Sequence, residues 1–235
     1  MSPRTSPPLR LVSDPAGAGL GMQAHAAMRR LIMTARVPPG AQVSEQRLCD
    51  LTGFGRAPVR AALARLSEEG LVQAVPRRGY TVSPVTVHDI HEVFELRLLL
   101  EPAAAATAAG RIDAAALAQL EGICGADYRP DDPDSALAFL DANTAFHIAV
   151  AEIGGNGRLA RQLGRLLDEM TRMLLLGLVT RDRTPEMQAE HRGLVDALAA
   201  GDAAGAAALS RAEIEAARDM VMAGLTGRGS RAAIG

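Results

Sequence analysis

The side chains of this 235-residue chain that could do more than pack are a few histidines with carboxylates, and a set of arginines. Within DANTAFHIAV, residues 141–150, Asn143 and His147 stand four apart, a spacing that stacks them on one face of a helix and aims them at a common centre. It fits either a hydrogen-bonded core histidine or half of a metal site. His191, in PEMQAEHRGLVDAL, shares a helical face with Leu194, Val195 and Leu198, so its ring turns inward. Glu213 stands beside Ile214 in AALSRAEIEAARDM. Two imidazoles, a carboxylate and an amide oxygen suit a divalent ion such as Zn, Ni or Mn, with positions left open for water or a ligand. Spacing alone does not say whether the helices carrying them converge. His88, His91 and Glu92 in HDIHE could coordinate a metal through an i, i+3 pair, but they read better as the solvated first turn of a helix, whose acids suit the helix dipole. Arg97 and Glu101 form an i, i+4 pair, expected as a surface salt bridge worth a few tenths of a kcal/mol.

The arginines point to a different chemistry. In PVRAALARLSEEG, Val59, Ala62, Leu63 and Leu66 form an inner stripe, which leaves Arg56 and Arg60 facing outward near the helix start. An arginine at that place on a recognition helix can make paired hydrogen bonds to a guanine edge in the major groove. Beyond it, LVQAVPRRGYTVSP reads as two short strands around PRRG, with Arg77 and Arg78 at the tip and Gly79 permitting the turn. Such a basic wing suits phosphates or the adjacent groove.

These groups need elements to hold them. Apolar residues at helical spacing from Leu20 to Arg36, stopped by VPPG, predict a first helix. Ser44 caps a second that ends at Gly53, and a third begins near Ala57 and Pro58. So short a link between the last two predicts a helix-turn-helix. After SPVT, six helices in an antiparallel bundle account for the rest: one from Val87 with Pro102 inside it and Val93, Leu96, Leu100 and Ala104 on one face, one capped by Asp113, one capped by Ser135 and ended by GGNG, and three at about 158–179, 185–200 and 202–224. The resulting fold class is mostly α, a winged helix-turn-helix followed by an all-helical bundle. Its domains are a tail at 1–19, a DNA-binding domain at 20–84, a helical domain at 85–225, for which the resemblance described below implies effector binding and dimerisation, and a tail at 226–235.

Composition agrees with that class. Apolar residues make up 48% and aromatics 3%, with no Trp, which favours packed helices over aromatic-rich strands. The two cysteines lack paired-ligand spacing, so neither a disulfide framework nor a zinc ribbon is expected, and a reducing cytoplasm fits. The N-terminus has no signal-peptide core, and no later stretch reads as the ~20 apolar residues that span a bilayer. The net charge of −2 hides a division: residues 1–84 carry 11 Arg against 5 acids, and residues 85–235 carry 14 Arg against 22. A basic part joined to an acidic part fits a polyanion-binding module carried by something else. No HExxH, nucleophile elbow or phosphate loop occurs, and no general base stands beside the candidate ligands, which weighs against the rival reading of a hydrolytic zinc enzyme with a DNA-targeting domain. A third reading is an architectural DNA-binding dimer with a filled bundle.

The stretch PPGAQVSEQRLCDLTGFGRAPVRAALARLSEEGLVQAVPRRGYTV resembles the winged helix of GntR-family bacterial transcription regulators over residues 20–84. The resemblance implies operator contacts by Arg56, Arg60 and Gly79, with Arg77 and Arg78 beside them and Gln46 where a helix-two residue can contact phosphate. Gly55 departs from the usual Ser or Thr before the first Arg. FELRLLLEPAAAATAA, NTAFHIAVAEIGGN and AEHRGLVDALAAGDAAGAA are similar to the recurrent motifs of the FCD ligand-binding domain, covering residues 87 to about 222. Many members of that branch bind metal through an Asp and three His, which fall here on Asn143, His147, His191 and Glu213. Two of the four depart, with the carboxylate exchanged in place. The matching Arg97 often faces the cavity in that branch, where with His147 and His191 its fork could hold a carboxylate effector. The implied function is a cytoplasmic regulator, as a rule a repressor, acting as a homodimer on an inverted repeat of double-stranded DNA and controlled by a small organic acid, with no membrane partner.

Overall fold

The computed structural model describes residues 19–129, 132–178 and 182–232. The chain divides into two compact units that meet in sequence between Ser83 and Pro84. All but Gly19 of the tail expected at residues 1–19 lies outside the described residues.

The first unit is built on three helices, α1 (Leu20–Met33), α2 (Glu45–Thr52) and α3 (Arg56–Glu68). Ser44 accepts from the Arg47 N–H at the head of α2, and Gly53, at φ 75°, ends it in the left-handed conformation. The link to α3 is Gly53, Phe54 and Gly55, and α3 starts at Arg56, just ahead of the expected Ala57 and Pro58. The expected inner stripe of Val59, Ala62, Leu63 and Leu66 is fully buried. It packs with Ala24, Met28 and Ile32 of α1, so burial of a few apolar faces fixes the angle at which α3 is presented.

Three strands complete the unit: β1 (Gln42–Val43), β2 (Val72–Val75) and β3 (Gly79–Val82), antiparallel in the order β1-β3-β2. The sequence gives no sign of the two-residue β1. The wing turn differs from expectation. Arg78 N–H donates to the Val75 carbonyl across Pro76 and Arg77, and Arg77 itself takes the left-handed φ of 63°. Gly79 instead opens β3 at φ 94°, where a Cβ would stand 2.6 Å from the Val43 carbonyl oxygen. Its missing side chain is what lets β1 close on β3.

The second unit holds six helices among the described residues: α4 (Val87–Ala108), α5 (Ala114–Cys124), α6 (Pro133–Ile153), α7 (Gly157–Leu178), α8 (Thr184–Ala199) and α9 (Ala203–Ala232). Thr86 and Asp89 close a capping box at the head of α4. Asp113 caps α5 as expected. Ser135 does not cap α6. Asp132 does, with Pro133 in the first turn, while the Ser135 hydroxyl accepts from the Arg129 N–H. Helix α9 continues to Ala232, through most of the stretch expected as a tail from 226, and residues 233–235 lie outside the described set. Pro102 offers no N–H to the Leu98 carbonyl, yet α4 runs on through it.

The inner face of α4 also differs from expectation. Of the expected face, Val93 and Ala104 are buried, Leu100 is half-buried and Leu96 is exposed, and the buried row runs Ile90, Phe94, Arg97, Glu101, Ala104 and Ala108. Asp134–Ile153 of α6, with mean hydropathy 1.3, is long and apolar enough to cross a membrane by length and composition, where no such stretch was read from sequence. Half of it is buried inside the unit, beside Leu163, Leu167 and Met170 of α7 in the core.

Gly79→Ala tests the wing. The left-handed backbone and the blocked carbonyl are expected together to cost about 1–3 kcal/mol or more, read as a lower urea midpoint at unchanged slope.

Candidate functional site

Two groups of side chains stand out, one on the surface of the first unit and one buried in the second. On the surface, Arg56, Arg60, Gln46, Arg77 and Arg78 are all exposed, and Gly79 is half-buried. Neither helix arginine hangs loose. Arg56 Nη2 donates to Gln46 Oε1 at 3.1 Å, and Gln46 Nε2 donates on to Asp50 Oδ1 at 3.0 Å. Arg60 Nε donates to both oxygens of Glu45, at 3.0 and 2.8 Å. One polar edge of α2 therefore holds both guanidiniums, and because Glu45 takes only the Nε edge of Arg60, its terminal Nη groups are left for another acceptor. Neither Glu45, whose partnership with Arg60 crosses 15 residues, nor Asp50, which pairs with Gln46 one turn away on α2, stands out in the sequence. At the other end of the chemistry, His88 and Glu92 form an exposed 3.3 Å pair, the solvated turn expected of HDIHE.

In the second unit α4, α6, α8 and α9 bring Arg97, Glu101, Asn143, His147, His191 and Glu213 into its interior, each no more than 6% exposed. The expected surface salt bridge of Arg97 and Glu101 is a buried one: Nε meets Oε1, and Nη2 meets Oε2 at 3.1 Å. Arg97 Nη1 turns to the Met170 thioether at 3.1 Å. Glu101 Oε2 also takes His147 Nδ1 at 3.0 Å. On the far edge of that ring, His147 Nε2 lies 3.2 Å from Glu213 Oε1, and His191 Nε2 meets the same oxygen at 3.2 Å. The His191 ring is stacked on Phe146, centroids 3.9 Å apart and planes 16° from parallel.

The charges balance. Burial opposes the Glu101 carboxylate, but the Arg97 guanidinium and then His147 hold its pKa at about 2. Burial likewise opposes the His147 imidazolium, but Glu213 and then Glu101 hold it up to about 9. Glu213, buried against His147 and His191, stays below the ordinary carboxylate range. Two cations thus face two carboxylates along a line crossing three helices.

The ligating atoms of His147, His191 and Glu213 lie within 4.8 Å of one another. Around an ion bound at about 2.0–2.1 Å, ligand atoms separated by about 90–110° stand about 2.9–3.4 Å apart, and both ring nitrogens stand at 3.2 Å from the shared oxygen. Asn143 Oδ1 is buried without a hydrogen-bond partner, a costly state that a cation or a water beside it relieves, and His147 Nε2 has only its ion-pair contact with Glu213. The residues fit the group. Asn143 and His191 line one cavity of about 210 Å³ with Phe139, Met187 and Gln188, while His147 and Glu101 line another of about 200 Å³ with Leu163, Leu194 and Ser210.

Removing one member of the buried pair leaves a charge without a partner, so Glu101→Ala is expected to cost about 3–5 kcal/mol. The double change Arg97→Met with Glu101→Leu removes both charges and is expected to cost far less. Urea unfolding of the three proteins compares them.

The profile of the bacterial regulatory proteins of the gntR family matches residues 20–82, and that of the FCD domain matches residues 92–216. A transcriptional regulator of Agrobacterium vitis is 38% identical over 54% of this chain and 70% of its own. A probable D-xylose utilization operon transcriptional repressor of Paenarthrobacter nicotinovorans is 31% identical over 73% of this chain and 75% of its own. Among solved structures, E. coli McbR/YncC has the same fold at a TM-score of 0.68, with 20% identity over 88% of this chain and 98% of that one. These names describe regulators, not enzymes. The chain therefore belongs to the gntR family of bacterial regulatory proteins, in the branch that carries an FCD domain, and is a DNA-binding transcription regulator.

Proposed function

We propose that this regulator is a cytoplasmic repressor that grips an inverted repeat of double-stranded DNA as a homodimer. Its FCD unit binds a divalent ion, Zn, Ni or Mn, and a small organic acid. The observation that carries the sensing half is the single Glu213 oxygen shared by two buried ring nitrogens. In this reading His147, His191 and Glu213 hold the ion and Asn143 turns its amide oxygen toward it. Bound there, the ion supplies a Lewis-acidic position for a carboxylate. Arg97 reaches an effector only by giving up Glu101, since its fork is engaged.

The chain's part in signalling is differential. An effector that prefers one arrangement of the unit by 1–3 kcal/mol changes operator affinity by roughly 5- to 150-fold. On the DNA side, Arg56 and Arg60 read base edges from the start of α3, Arg77 and Arg78 take phosphates from the wing, Gln46 contacts phosphate from α2, and Gly79 lets the wing backbone approach. The repressor named among the relatives supports the sign of the effect.

Two experiments test this reading. On a site enriched from random-sequence DNA, Arg56→Ala and Arg60→Ala are each expected to cost about 1–3 kcal/mol and to relax base preference. Arg77→Ala and Arg78→Ala are expected to weaken all sequences alike and to reduce the salt slope by about 0.9 each. Unchanged binding by both helix variants would remove the assignment. Metal-stripped protein titrated with Zn, Ni and Mn is expected to bind, with His147→Ala and His191→Ala each losing at least tenfold, as about that much follows even from disturbing a ligand's support. Binding that is absent, or indifferent to both changes, rejects the metal.

A further inference from the structure

We propose that Glu101 is a positioning residue for the metal ligand His147, fixing which nitrogen of that ring is offered to the ion. The proposal rests on the metal reading above. A histidine can ligate through either nitrogen, and the hydrogen bond made by one decides the role of the other. Glu101 Oε2 takes Nδ1 of His147 at 3.0 Å, while Nε2 faces Glu213. With Nδ1–H committed to a carboxylate, the neutral ring carries its lone pair at Nε2, the edge where His191 and Glu213 gather.

Glu101 is itself held in place. Arg97 grips both of its oxygens, and the third arm of the guanidinium ends on Met170 of α7. The orientation of the ring thus passes from α7 through α4 to α6 along Met170, Arg97, Glu101 and His147. Glu101 is not a ligand in this arrangement: it sits on the ring edge opposite Nε2, and the gathered ligand atoms belong to His147, His191 and Glu213. His191 is oriented by other means, its ring lying flat on Phe146, so loss of Glu101 bears on one imidazole and spares the other.

The first measurement needs no variant. In Zn-loaded wild-type protein labelled with 15N, His147 is expected to show a slowly exchanging Nδ1–H and a metal-bound Nε2. Ligation through Nδ1, with the proton on Nε2, overturns the proposal. The second compares affinities for Zn and Ni by chelator competition. The double variant Arg97→Met with Glu101→Leu, which keeps the core filled, is expected to bind about 10- to 100-fold more weakly than wild type and to lose the protected Nδ1–H. Glu101→Gln, whose amide oxygen still accepts from Nδ1, is expected to restore that signal and most of the affinity. Wild-type binding matched by the double variant overturns the role of Glu101 and leaves the metal standing. A wild type that binds neither ion overturns both.

Discussion

Everything in the second unit is arranged around a line of buried charge from Arg97 through Glu101 and His147 to Glu213. Transfer of any one of these groups from water into an apolar interior is prohibitive alone. Two positive and two negative groups at hydrogen-bond spacing make it tolerable, and the need to keep them adjacent restricts how α4, α6 and α9 can pack. The aliphatic clusters around them supply the stability. The charges supply uniqueness, because a helix that slipped by a turn would strand one of them.

The DNA-binding unit solves a smaller version of the same problem at its surface. Long arginines lose side-chain entropy when they dock. Here Gln46 and Glu45 already hold Arg56 and Arg60 in one arrangement. Exposed pairs of this kind add little to stability, so what they do is hold the two guanidiniums in one arrangement.

Much of this was legible in the sequence because it is local. Caps at Ser44 and Asp113, the stripe of α3 and the six-helix count all follow from spacing. What escaped was non-local or contradictory to local pattern. The two residues of β1 have no periodicity to read, and they exist because β3 leaves a glycine for them to close upon. Asp132 caps α6 in place of Ser135 because Pro133 suits the first turn three residues earlier. Arg97 and Glu101 were read as solvated since charged i, i+4 pairs usually are. Yet Ile90, Phe94, Arg97, Glu101, Ala104 and Ala108 recur at alternating spacings of four and three, and that rhythm in a Leu- and Ala-rich helix places the pair inward. Asn143, His147, His191 and Glu213 were nameable as donors. That two rings meet on one carboxylate oxygen was not.

Pro102 follows Glu101 directly. Without its N–H, the turn from Leu98 lacks a rung of the backbone ladder, so α4 resists bending least at the turn the charge line grips. The side-chain bracing of Arg97 by Glu101 and Met170 spans that same turn. α4 is thus two stiff rods spliced at a compliant joint, and the splint across the joint is made of the residues that touch the candidate sensor. Whatever loosens the splint leaves the two rods of α4 free to bend at that joint.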